Sequence, residues 1–217
     1  MFTINRLTRS AGVLAAALLL AHAAQAGPPL ICHPFITGDA PLLPWVDDPH
    51  NWDSRDRHYD ASRLTADTLR LLTPDAPVIA RMENLRRATI YAAHDEQIGI
   101  ELLGALLDRA TKLETPLAWF DAGYLIESYR QMGLIEKRDL LASFARSADS
   151  TLPAGLEALD GYALVQTALA DATESAAEMQ FAASLMPLDP AVVRVHRERA
   201  AAEALAGSLL AANLARW

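Results

Sequence analysis

Apolar residues recur at every third or fourth position over most of the chain after residue 60, which is the spacing of amphipathic helices. Alanine and leucine, both strong helix formers, dominate this region. No segment alternates between apolar and polar residues as a half-buried strand would. The pattern therefore predicts an all-α protein with successive helices over residues 62–72, 78–93, 98–113, 117–132, 136–148, 153–170, 171–186 and 189–206.

Several predicted helices have recognisable ends. Asp189 and Pro190 form an N-cap followed by a proline at the first helical position. Gly133 is typical of the glycine that ends a helix, and Asp171 with Glu174 resembles a capping box. Because the predicted connections are only two to six residues long, successive helices are expected to be antiparallel neighbours.

The prolines that open helices are regularly spaced along the chain. Pro77, Pro116, Pro153 and Pro190 are separated by 39, 37 and 37 residues, and each opens the first helix of a pair. A two-helix unit of about this size predicts stacked antiparallel hairpins, an α-solenoid. An irregular helical bundle with evenly sized pairs is the alternative.

Two short segments resemble tetratricopeptide repeats. Residues 177–181 followed by LMPLDP resemble the second helix of that repeat and its proline-marked turn. Trp119 and Gly123 have the spacing of the tryptophan and glycine in its first helix, and the segment DAGYL at 121–125 is similar to DGYAL at 160–164. The period exceeds the roughly 34 residues of the family. The resemblance implies a degenerate solenoid with a concave groove for a protein or peptide.

The first 26 residues have the features of an export signal. Arg6 and Arg9 precede an apolar stretch at 11–21, and Ala24-Gln25-Ala26 fits a small-x-small cleavage site. The apolar stretch is shorter than the roughly 20 residues of a membrane span. We expect a signal peptide at 1–26, cleavage before Gly27, and a periplasmic or secreted protein without stable membrane insertion.

Residues 27–60 are predicted to form an extended N-terminal arm ahead of a helical-repeat domain at 61–217. Six of the twelve prolines lie in this arm, and proline favours extended or turn geometry. Leu30, Ile31, Phe35 and Trp45 are its expected apolar anchors, with Cys32 as one more buried side chain. The segments ICHPF…LPW and TPDAPVIARMENLRRATIYA resemble a family of exported bacterial proteins that carries no known activity.

The composition excludes some partners. Hydrophobic residues make up 52% and charged residues 21% of the 217 positions, which is typical of a folded globular protein. The formal net charge is −8. A nucleic-acid partner requires clustered lysine and arginine, so we expect none. The sequence does not indicate an oligomeric state.

One group of residues suggests metal chemistry. Cys32, the only cysteine, is adjacent to His33, and His50 and His58 lie in the same arm. Thiolate and imidazole are the ligands that zinc, copper and haem iron prefer, but the spacing matches no established metal motif. No cofactor is expected, and a metal- or haem-associated protein remains an alternative.

Other residues are candidates for partner binding. Arg86 and Arg87 could hold a carboxylate of the arm or of a ligand, and Trp119 and Tyr129 could line a groove. Motifs of phosphate-binding loops, serine hydrolases and zinc proteases are missing from the sequence. The favoured function is therefore a non-enzymatic, exported helical-repeat protein that binds a protein or peptide, with an enzyme of unrecognised type as a further alternative.

Overall fold

The computed structural model describes residues 28–46, 48, 51–147, 150–152, 155, 158–173, 175–186 and 189–217. Regular structure in these ranges is helical, apart from an isolated bridge between Trp45 and Arg55. None of the helices in these ranges has the length and apolar character needed to cross a bilayer. The all-α prediction is confirmed, whereas the predicted signal peptide and the helix start at Pro153 lie outside the described residues.

The α-helices are α1 (Pro29–Cys32), α2 (Leu64–Leu71), α3 (Val78–Ala92), α4 (Glu96–Leu113), α5 (Pro116–Glu136), α6 (Leu140–Arg146), α7 (Gly161–Asp171), α8 (Ala176–Ala183), α9 (Pro190–Glu203) and α10 (Leu209–Leu214). A 3-10 turn at Ala61–Arg63 leads directly into the second helix. From α2 onward the helices follow one another through connections of two to six residues, except between α6, which ends at Arg146, and α7, which begins at Gly161 after the N-cap Asp160 and so later than the predicted helix over 153–170.

The predicted start at Asp189 is confirmed. Its carboxylate accepts a hydrogen bond from the Ala191 backbone N–H, and Pro190 is the first residue of α9. The predicted capping box at Asp171 is wrong, because Asp171 is the last residue of α7 and Ser175 precedes α8.

The predicted end at Gly133 is also wrong. Helix α5 continues to Glu136 and is capped by Lys137, which adopts the left-handed conformation with φ 54°. A Cβ at Gly133 would lie 2.6 Å from the Arg138 carbonyl oxygen. The glycine therefore allows the chain to turn back closely over the end of its own helix.

Helices α3 and α5 form the centre of the molecule. Fourteen residues of each helix are buried. Neither helix therefore has the broad solvent-exposed face of a typical surface helix. Helix α5 packs against α1, α3, α4, α6 and α7, and α8 packs against α9. The core is contiguous across these helices.

A glycine pair brings α5 and α7 into unusually close contact. A Cβ built on Gly123 would lie 2.5 Å from the Gly161 carbonyl oxygen, and the converse distance is also 2.5 Å. These glycines belong to the two similar segments DAGYL and DGYAL. In the fold the two glycines face each other, so both segments need glycine because a side chain on either one would collide with the other.

A buried ionic network fixes the turn that precedes α3. One oxygen of Asp121 accepts hydrogen bonds from Arg81 and Arg109, both at 2.7 Å. The same arginines donate to carbonyl oxygens of the turn, Arg81 to Thr73 and Ala76 and Arg109 to Leu72. Helix α5 thereby sets the position at which α3 begins.

Candidate functional site

The N-terminal arm lies along the central helices. After the short helix α1, residues 33–44 run without regular secondary structure apart from a turn near Gly38. Leu30 and Ile31 are fully buried, and Phe35 and Leu43 are almost fully buried. The first residues of the arm thus form a helical turn, unlike the wholly extended arm that was predicted, and residues 33–44 after it have no regular structure apart from the turn near Gly38.

Two asparagine side chains bind the backbone of the arm through both of their amide atoms. The Asn84 side-chain oxygen accepts from the Leu43 N–H at 2.9 Å, and its nitrogen donates to the Pro41 carbonyl at 3.2 Å. Asn213 accepts from the Ile36 N–H at 2.9 Å and donates to the Ile36 carbonyl at 2.8 Å. Contacts of this kind recognise an extended backbone whatever its side chains are.

A buried group of three charged residues on α3 also holds the arm. Glu83 accepts hydrogen bonds from Arg86 and Arg87 and from the Phe35 backbone N–H. Arg86 donates to the Ile31 carbonyl at 3.0 Å, and Arg87 donates to the Leu43 carbonyl at 2.6 Å. The charges satisfy one another and two carbonyl groups of the arm.

Further contacts come from α5 and from the end of α3. The Gln131 side-chain oxygen accepts from the Leu30 N–H at 2.8 Å, and Tyr91 donates its hydroxyl to the Pro44 carbonyl at 2.7 Å. Arg216, after α10, also donates to the Pro34 carbonyl at 3.3 Å. The helix side chains that bind the arm backbone are hereafter called the arm face, which comprises Glu83, Asn84, Arg86, Arg87, Tyr91, Gln131 and Asn213.

An aromatic pocket receives Phe35. Its ring stacks on Trp217 with centroids 5.8 Å apart and meets Phe181 edge-on at 6.2 Å. Trp217 also contacts the His33 ring at 5.1 Å. The arm is therefore anchored by side chains from α8 and from the residues after α10 as well as by α3 and α5.

The predicted metal candidates are placed in different surroundings. Cys32 is partly buried, and burial raises the pKa of its thiol despite the nearby Arg86, which favours the neutral thiol over the thiolate that a metal requires. His33 packs on Trp217, and His58 is exposed. His50 lies outside the described residues. Within the described ranges, no three His, Cys, Asp or Glu side chains form a group that could hold a metal.

The four partner-binding candidates also differ in position. Arg86 is 1% exposed and faces the arm, whereas the Arg87 side chain is 14% exposed. Trp119 is partly buried against the core. Tyr129 is fully buried, meets the Phe144 ring edge-on and contacts the Gly99 carbonyl, so it offers no surface to a partner.

Sequence reasoning did not identify Asn84, Gln131 or Asn213, although these residues bind the arm directly. No pattern in the sequence marks these residues, because their burial becomes visible only in the structure. Buried polar side chains need hydrogen-bond partners. The backbone groups of the arm also need partners, because the arm lacks regular secondary structure, and the two sets of groups therefore bind each other.

A scan against protein-family models, a search of curated proteins and a search of solved structures each give no match to this chain.

Proposed function

We propose that this protein is an exported, non-enzymatic helical-repeat protein that binds a protein or peptide partner. The observation that carries the proposal is the way the arm face holds its own arm. It supplies donors and acceptors to backbone groups from Leu30 to Pro44 and uses both amide atoms of Asn84 and Asn213. These are the contacts by which a groove would bind an extended peptide.

The helix order supports a solenoid-like groove. Helices α3, α5 and α7 pack side by side, and α4 and α6 contact each other as well as α5. Such an order is expected of a stack in which alternate helices line one surface, although α8 also contacts α3, which a strict stack would not bring together. In the proposed arrangement the repeat period is about 37 residues, and the arm lies on the surface formed by α3 and α5.

The arm competes with any partner for this surface. A tethered segment has an effective concentration in the millimolar range, so a free peptide at micromolar concentration would not displace an intact arm. A partner would have to bind more tightly than the arm, or the arm would have to be weakened. This requirement determines how the proposal is tested.

The test uses the chain with Phe35→Ala and a labelled peptide of residues 28–46. Truncation of a buried phenylalanine costs about 3–5 kcal/mol, which weakens the docking of the tethered arm. We expect fluorescence anisotropy to show saturable peptide binding to this variant and far weaker binding to the unsubstituted chain. Circular dichroism at 222 nm checks that the variant keeps its helices.

The control peptide carries the same Phe35→Ala change and should bind at least tenfold more weakly, since it cannot fill the aromatic pocket. If Phe35→Ala unfolds the chain, Phe35→Leu provides a milder version of the test. A helical variant that binds neither peptide, or binds both equally, would contradict the proposed function.

A further inference from the structure

Residues 41–44 of the arm, hereafter the PLLP segment, are bound mainly through their backbone. Asn84 donates to the carbonyl of the first proline, Pro41, at 3.2 Å and accepts from the Leu43 N–H at 2.9 Å. Leu43 is 1% exposed, so its side chain is enclosed by the body. One asparagine therefore positions the first proline and also the apolar residue two positions after it.

The last two residues of the PLLP segment are held by their carbonyl groups. Arg87 donates to the Leu43 carbonyl at 2.6 Å, and the Tyr91 hydroxyl donates to the Pro44 carbonyl at 2.7 Å. Leu42 is half-buried, and its N–H has no hydrogen-bond partner among the described residues. The body therefore binds an N–H at the third position of the segment and carbonyl groups at the first, third and fourth.

Both prolines of the PLLP segment occupy positions at which the body binds a carbonyl group and no N–H. Pro41 and Pro44 are exposed, so the body does not enclose their rings. Proline has no N–H, and it restricts the free segment, which lowers the entropy lost on binding. A proline in place of Leu43 would remove the N–H that Asn84 binds. The arm face therefore favours proline at the first and fourth positions and excludes it from the third.

The same arrangement occurs earlier in the arm. Pro34 is exposed, and its carbonyl accepts from Arg216 at 3.3 Å. The next residue, Phe35, supplies the N–H that Glu83 accepts at 3.1 Å, and its ring fills the aromatic pocket. Twice, then, an exposed proline that supplies a carbonyl is followed within two residues by a buried apolar residue that supplies an N–H.

We propose that the arm face binds an extended, proline-rich segment of its partner with the pattern Pro-x-apolar-Pro, where x is any residue. This inference rests on the proposed function and specifies the chemistry of the partner. In the bound segment the two proline carbonyls accept from Asn84 and Tyr91, as in the arm. The apolar residue takes the place of Leu43, with its N–H bound by Asn84 and its carbonyl by Arg87. Stiff segments of this kind are bound at a low entropic cost.

The test uses the Phe35→Ala chain and labelled peptides of residues 28–46 that differ only in the PLLP segment. Alanine in place of Pro41 or of Pro44 keeps every bound carbonyl but frees the backbone. We expect fluorescence anisotropy to show binding about 2- to 5-fold weaker for each change, because more entropy is lost on binding. Alanine in place of Leu43 should weaken binding at least tenfold, on the order of the loss from truncating a buried leucine.

A pair of peptides with one amide replaced by an ester tests the N–H. The replacement removes a backbone N–H and keeps the side chain. At Leu43 it should weaken binding by about 2- to 12-fold, the effect of one lost hydrogen bond. At Asp39, which is exposed and whose N–H has no partner within the described ranges, it should leave binding unchanged.

The variant Tyr91→Phe tests a donor of the body in the same Phe35→Ala chain. Loss of the hydroxyl that donates to Pro44 should weaken binding of the unmodified peptide by about 2- to 12-fold. Tyr59→Phe is the matched control, because the Tyr59 hydroxyl donates to Asp67 and not to the PLLP segment, and it should leave affinity unchanged.

Two outcomes would overturn this inference and leave the proposed function in place. One is equal binding of the proline and alanine peptides, and the other is an equal effect of the two ester replacements. Failure of the folded variant to bind any of the peptides would overturn both proposals. If Phe35→Ala unfolds the chain, the same peptides are compared on Phe35→Leu.

Discussion

Replacing Glu83 with glutamine will lower the free energy of unfolding by about 3–5 kcal/mol, because it leaves two arginines without their shared counter-ion in a buried position. Glu83 is fully buried, and its carboxylate contacts Arg86, Arg87 and the Phe35 N–H. Urea denaturation at neutral pH, followed by circular dichroism, measures this loss. Tryptophan fluorescence should change in the same variant, because the guanidinium groups of Arg86 and Arg87 lie over the Trp45 ring.

The same residue gives the protein a defined sensitivity to acid. Burial alone would raise the pKa of Glu83, but Arg86 and Arg87 outweigh burial and hold the pKa below its usual value. A carboxyl group with a depressed pKa in the folded state stabilises the fold above the unfolded pKa of about 4.3. That stability is lost as the pH falls through the folded pKa, and Glu83→Gln should lack this part of the acid transition.

Glu101→Gln is the matched control, because Glu101 is exposed on α4 and surface substitutions usually change stability by about 0.5 kcal/mol or less. A Glu83→Gln variant as stable as this control at neutral pH would show that the carboxylate does not balance the arginines.

Adding one methyl group at Gly161 will destabilise the protein by about 1–3 kcal/mol or more, since the fold has no room for it. The new Cβ would lie 2.5 Å from the Gly123 carbonyl oxygen and 2.7 Å from a Glu127 carboxylate oxygen. The first of these is a backbone atom, which cannot rotate away, so α5 and α7 would have to separate. Thermal unfolding of Gly161→Ala measures the effect.

Gly104→Ala is the matched control, for which no loss of stability is expected. The added Cβ would lie 3.5 Å from Leu152 Cδ2, an ordinary contact, and alanine is favoured over glycine inside a helix by about 1 kcal/mol. This variant should be as stable as the parent or more so. If the two alanine variants were equally stable, the close contact between α5 and α7 would be disproved.

The sequence predicts helices well where apolar periodicity and caps agree. Residues 98–113 and the start at Asp189 are examples, and the observed α4 and α9 match them closely. The helix end at Gly133 and the helix start at Asp171 were mispredicted because a glycine or a capping pattern has several uses. At Gly133 the glycine permits the close approach of Arg138, which follows the left-handed cap at Lys137; the glycine thus serves the turn after the helix instead of ending the helix itself.

The arm face was harder to predict for a similar reason. Helix α3 contains buried Arg81, Glu83, Asn84 and Arg86, which sequence patterns assign to a solvated helix surface. Arg81 pairs with Asp121 of α5, whereas the other three bind backbone groups of the arm 41 to 55 residues away, as in the pairs Leu43–Asn84 and Ile31–Arg86. Backbone groups are the same at every position, so the sequence does not indicate which of them a side chain binds. Arg86 and Arg87 could be predicted as binding residues, but the carbonyl groups that they bind could not be predicted.

The contacts between the arm and Asn213 also constrain the order of folding. Ile36 and Asn213 are 177 positions apart, and Phe35 packs on Phe181 and Trp217. During synthesis from the N-terminus, the arm is made before Phe181, Asn213 and Trp217, the residues against which it packs. Contacts this distant in sequence form slowly, so we expect arm docking to be a late step that follows assembly of α3 to α10, visible as a slow phase in tryptophan fluorescence during refolding.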